Sequence, residues 1–238
     1  MGLYGNVFLE NNNKFLNEDL ESLLIKGIIE FGLDEFDDEN EVLEEGANIE
    51  YAKIFMSYKK EFNSLMRESK KALKNKEYKL ATDKVQDASD VLTKMKKEIK
   101  KIPSDTSSAI VGTIFSILES IAGVILLVFI YSTGLDLGTS TIKKILYSGG
   151  SKTSALVAGN IVAALPGFGI GANIGKKLII GLTTVVNTSK DFKNDKVNNS
   201  DALNIYRQKI ISNIDYLIIS TINLKAVIKE KEKKESKK

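Results

Sequence analysis

Apolar residues recur at intervals of three and four along three stretches of the chain, the spacing that gathers side chains on one face of an α-helix. The first stretch holds Tyr51, Ile54, Phe55, Tyr58, Phe62, Leu65, Met66, Ala72 and Leu73. After the polar break Lys74-Asn75-Lys76-Glu77, the second holds Tyr78, Ala81, Val85, Ala88, Leu92, Met95 and Ile99. Together they predict an antiparallel αα-hairpin that ends before Pro103. A third stripe comprises Leu203, Tyr206, Ile210, Ile214, Leu217, Thr221, Leu224 and Ile228, with Ser200 or Asp201 as N-cap. Three one-sided helices can bury their stripes only against one another, so residues 48–102 and 201–231 are expected to pack together. The tail from Lys229 is expected to fray. A weaker stripe, Phe15, Leu16, Leu20, Leu23, Leu24, Ile28 and Phe31, lies near the N-terminus.

Between the second and third stripes the pattern changes. Ala109 to Tyr131 runs 23 residues with Glu119 as its one charge, and 14 of them are Leu, Ile, Val or Phe. As a helix this run is ~35 Å long, against a hydrocarbon thickness of ~30 Å. Its large side chains favour membrane insertion by about 6 kcal/mol, and an ionised Glu119 at mid-span opposes it by ~3 kcal/mol. A connection rich in Gly, Ser and Thr follows over 134–152, then a second apolar stretch, Ala155 to Val186, broken at Pro166. Within it Ala155, Gly159, Ala163, Gly167, Gly171 and Gly175 fall every four residues, a small-residue series of the kind that lets helices approach closely.

The expected fold class is therefore all-α: a three-helix amphipathic bundle with a long apolar, membrane-type helical hairpin inserted between helices two and three. The chain divides into an acidic N-terminal segment (1–46), the amphipathic hairpin (47–103), the apolar glycine-rich hairpin (104–190), and a C-terminal amphipathic helix with a charged tail (191–238). Burial of the apolar hairpin against other subunits is the alternative to burial in lipid.

Composition sharpens this picture. The chain has no cysteine, histidine or tryptophan. That removes thiolate nucleophiles, imidazole bases and most transition-metal sites, so no enzymatic activity and no cofactor are expected. Absence of disulfides fits synthesis in a reducing cytoplasm, and no secretion signal is read at the N-terminus. Residues 1–45 carry 13 acids against Lys14 and Lys26, a net of −11, whereas the remaining 32 bases and 18 acids give +14. An acidic segment separable from a basic body follows from that split, and the body can meet anionic lipid or DNA phosphates.

Phosphate-binding motifs fail on spacing. Five residues, one too many for a phosphate loop, separate Gly169 from Gly175, and Lys177 stands where Ser or Thr would hold magnesium. Gly167-Phe168-Gly169-Ile170-Gly171-Ala172 fits a relaxed dinucleotide fingerprint, but no strand is predicted before it. The acidic run from Asp34 places Phe36 at a calcium-ligand position and lacks the required glycine.

The layout over roughly 48–230 resembles uncharacterised tailed-bacteriophage proteins that set a glycine-rich apolar hairpin between lysine-rich helices. Leu43-Glu44-Glu45-Gly46, at the end of the acidic segment, looks like the cleavage sequence of T4-like prohead proteases. The resemblance implies a virion-associated, head-internal or structural protein whose residues 1–45 are removed after Glu45. It implies a basic body lying non-specifically against packaged DNA and a hairpin entering the host membrane during genome ejection. Two other readings stand beside it: a membrane-resident pore-forming protein of holin or toxin type, and a structural assembly subunit. The implied partners are lipid or the apolar surface of other virion subunits, and further copies of the chain. The implied location is the capsid interior, a membrane, or both.

Overall fold

A chain whose stripes alternate with polar breaks folds back on itself wherever a break permits, and the Lys74–Glu77 break does so tightly. The computed structural model describes residues 22–28, 49–104, 106–133, 170–195 and 202–237. Helix α1 spans Ile49–Lys74, α2 Tyr78–Ile99, α3 Ser108–Thr133, α4 Ile170–Asn194 and α5 Ala202–Glu235, and residues 22–28 are also helical. The architecture is all-α, amphipathic helices with apolar helices set between the second and third of them. Among the described residues there is no strand.

The α1–α2 turn closes with Lys76 at φ 62°. Its N–H donates to Leu73 O and that of Glu77 to Ala72 O, so two of the last carbonyls of α1 are capped within the turn. Behind it the Ser69 hydroxyl donates to Ala81 O across the hairpin. At the other end, Arg207 of α5 donates one N–H to Ile99 O and another to Ile102 O, both at 2.6 Å. Ile99 O is among the carbonyls that the end of α2 leaves without a helical partner, and Ile102 O lies in the turn just beyond it.

All three stripes face inward. Phe55, Phe62 and Met66 of α1, the seven stripe residues of α2, and Leu203, Tyr206, Ile210, Ile214, Leu217, Leu224 and Ile228 of α5 are buried. The closed ring they form nevertheless has four walls. Helix α1 packs on α2, α2 on α5, α5 on α3, and α3 on α1. The apolar α3 supplies the fourth wall, and α4 lies outside it against both α3 and α5. Lys96 of α2 and Asp215 of α5 pair at 2.6 Å on the surface of this ring.

Helix α5 runs on to Glu235, beyond the Lys229 at which fraying was expected. Lysines and glutamates three and four residues apart support the last turns, and Lys233 and Lys234 lie favourably at the negative end of the helix dipole. Glu235 also comes within 3.8 Å of Lys76.

Candidate functional site: a sheathed apolar helix

An amphipathic helix needs one apolar neighbour, but a helix apolar on every side must be covered on every side. Helix α3 is of the second kind. Its 26 residues are long and apolar enough to cross a membrane, and 89% of its candidate spanning window is buried. From Ser120 to Ile130 every residue is buried. Two of its neighbours, α1 and α5, are walls of the ring. The third is α4, and the fourth is the short helical segment 22–28.

Aromatic rings lock the α4 side. Phe115 of α3, Phe192 of α4 and Tyr206 of α5 meet with centroids 5.1–5.9 Å apart. A Cβ on Gly112 would stand in ordinary contact, 3.5 Å, with the Phe192 ring. The Tyr206 hydroxyl donates to Asp195, and burial together with that hydrogen bond pushes it up to about 12. On the α1 side, Lys70 lies 4.6 Å from the Tyr131 ring centroid, a cation–π contact at the far end of α3.

The segment 22–28 covers part of the remaining face, around Glu119, Gly123 and Leu127. Gly112, Ser116, Glu119, Ser120 and Gly123 recur at three and four, giving α3 one stripe of small and polar residues within its apolar surface. There the two backbones nearly touch. A Cβ on Gly27 would lie 2.7 Å from the Gly123 carbonyl carbon and 3.0 Å from Leu127 Cγ, and one on Gly123 would lie 2.6 Å from both Gly27 N and Leu23 O. Only hydrogen fits at either position. Beside this contact Glu119, 2% exposed, pairs with Lys26 of the segment and, at 3.5 Å, with Lys193 of α4. Burial, then the charges of Lys193 and Lys190, push Lys26 down to about 8.

The segment is held near balance. Leu23, Leu24 and Ile28 are 0–1% exposed, and burying three such side chains stabilises by roughly 5–9 kcal/mol. Ordering seven residues costs about 10 kcal/mol. The difference is within the reach of the Lys26–Glu119 pair.

The sequence marked Glu119, and the structure places it at the meeting point of α3, α4 and 22–28. Of the small-residue series, Ala155, Gly159, Ala163 and Gly167 lie outside the described residues. Gly171 falls in the first turn of α4 and Gly175 is buried on that helix. Leu43, Glu44, Glu45 and Gly46 also lie outside the described residues. Residues Ile170 to Lys176 of the near-miss phosphate loop open α4 as ordinary helix. Sequence reading passed over Gly27, Gly123, Lys26 and Lys193. The spacing of Gly112, Ser116, Ser120 and Gly123 was the available signal, masked by the large side chains between them.

Helix α5 is a second candidate span, with 39% of its window buried. It leaves Ile205, Tyr216, Ile219 and Ile222 exposed, and Ile180 of the adjoining α4 is exposed as well. Comparisons with protein-family models, with curated proteins and with solved structures yield no match.

Proposed function

We propose that this chain is a non-enzymatic, membrane-interacting protein that stores a membrane-spanning helix inside a water-soluble helical bundle. One observation carries the reading: α3 is apolar on all but one narrow stripe, ~39 Å long, and largely enclosed by helices of its own chain. Enclosure solves the problem of keeping such a helix in water, because the amphipathic helices turn their apolar stripes to it and their charges outward. Opening the ring exchanges those contacts for lipid, which satisfies an all-apolar helix equally well. The exposed isoleucines of α5 and Ile180, on a basic body, suit first contact with an anionic bilayer.

The test places an environment-sensitive fluorophore on Ser116→Cys, an exposed position of α3 in a chain with no other cysteine. With phosphatidylglycerol-rich vesicles the probe should shift to the blue and be quenched by nitroxides on lipid acyl chains. Quenching by aqueous quenchers alone, with vesicles present throughout, refutes the reading.

The phage-virion setting is a narrower proposal. Its support is the −11/+14 charge split and the position of Leu43-Glu44-Glu45-Gly46 between residues 22–28 and α1. In that setting the basic body lies against packaged DNA, and α3 is released at ejection. Protein recovered from mature particles should begin at Gly46; an intact Met1 or Gly2 terminus excludes processing there.

A further inference from the structure

We infer that residues 22–28 are a detachable strap, an intramolecular cover on α3 whose displacement uncovers the glycine and carboxylate of its small-residue face. The inference rests on the reading of α3 as a stored membrane helix and supplies its control.

Three features of the segment separate it from an ordinary core helix. Its contact with α3 is a glycine-to-glycine crossing, Gly27 on Gly123, with no room for a side chain on either partner. A wall of the ring buries a stripe running the length of a helix; the described residues of the strap bury Leu23, Leu24 and Ile28 and engage α3 over about two turns, from Glu119 to Leu127. Among the described residues its ion pair is Lys26 with Glu119, at the one carboxylate of α3.

The connection to α1 suits detachment. Residues 29–48 contain nine acids and no base, a composition that favours water over an apolar surface. Twenty residues span at most ~70 Å. The four ring helices keep their mutual contacts when the strap leaves. What is then uncovered on α3 is Glu119, Gly123 and Leu127, which with Ser120 and the already exposed Ser116 form a face on which another helix can approach closely inside lipid. Departure of the strap also removes Lys26 from Glu119, leaving Lys193 as the nearest described cation.

The experiment displaces the strap sterically. Gly27→Leu puts a side chain where the Gly123 carbonyl already lies, and it changes no residue of the ring. A second variant lacking residues 1–28 removes the strap without adding bulk, and so decides the matter if Gly27→Leu loses helicity. Gly112→Ala, whose new Cβ meets Phe192 at an ordinary 3.5 Å, is the control. Each is made in a Leu127→Cys background, because Leu127 is 4% exposed beneath the strap, and maleimide labelling in water reports the cover directly. Labelling should accelerate roughly tenfold or more in both strap variants, the scale set by overpacking a filled contact. It should stay unchanged in Gly112→Ala. Flotation with phosphatidylglycerol–phosphatidylcholine vesicles should rise in parallel. Unchanged labelling in both strap variants overturns the strap. Faster labelling without vesicle binding upholds the cover and refutes the membrane reading, so the two failures are distinct.

Discussion

Lys26→Met and Glu119→Leu, made singly and together, measure how strongly the strap is tied to α3. Glu119 is 2% exposed on an otherwise apolar helix, so its charge is tolerated only through its partners. Removing one member of a buried pair costs ~3–5 kcal/mol when the other charge is stranded. Here Lys193 remains 3.5 Å from the carboxylate, on a side chain 59% exposed, so Lys26→Met should cost less, about 2 kcal/mol. Glu119→Leu takes the buried carboxylate away from Lys26, whose neighbours include Lys190 and Lys193, and about 2 kcal/mol is expected there too, limited by the readiness of Lys26 to lose its proton. The double variant replaces the pair by apolar groups in an apolar site and should fall within about 1 kcal/mol of the parent. The coupling energy is then about 3 kcal/mol. In a chain of this size each single substitution should lower the melting temperature by ~4–8 °C. Thermal and urea unfolding followed by circular dichroism at neutral pH supply all four corners of the cycle. A coupling below ~0.5 kcal/mol would show that the two groups do not meet in a buried site, and the ion-pair attachment would have to be abandoned.

Alkaline pH should move stability in two opposite steps. The folded Lys26 titrates near 8 and the unfolded one near 10.5, so between those values the unfolded chain holds more protons and stability rises with pH. Tyr78 and Tyr206, raised from 10.0 to about 12, hold protons in the folded state and make stability fall from about pH 10 upward. Lys26→Met should abolish the first step and leave the second; urea midpoints across the range read both. Replacing residues 105–190 by a short flexible linker should leave no cooperative unfolding transition, because it removes the fourth wall of the ring; a folded, soluble remainder would show that α3 is dispensable. Arg207→Ala should cost about 2–3 kcal/mol through the two freed carbonyls at the end of α2, measured by urea unfolding.

Period and composition were enough to locate the helices that have one wet and one dry face. The stripes of α2 and α5 were legible residue by residue, because a side chain that must leave water is forced onto the buried face whatever its partner is. The span of α3 was legible for the same reason, from the length of its apolar run. Sequence could not say what covers α3. A helix apolar over most of its circumference carries little direction, and lipid, another subunit and the same chain satisfy its apolar faces equally. Tertiary structure decided in favour of its own chain, through contacts whose information is steric. Gly27 meets Gly123 because neither has a side chain, and absence of a side chain at two positions 96 residues apart leaves no period to detect. Lys26 and Lys193 were two lysines among many until the fold brought them to the single carboxylate of α3. Hydrophobic patterning is written locally along the chain; which backbones may touch, and which charges share a buried site, is fixed only when distant segments are packed together.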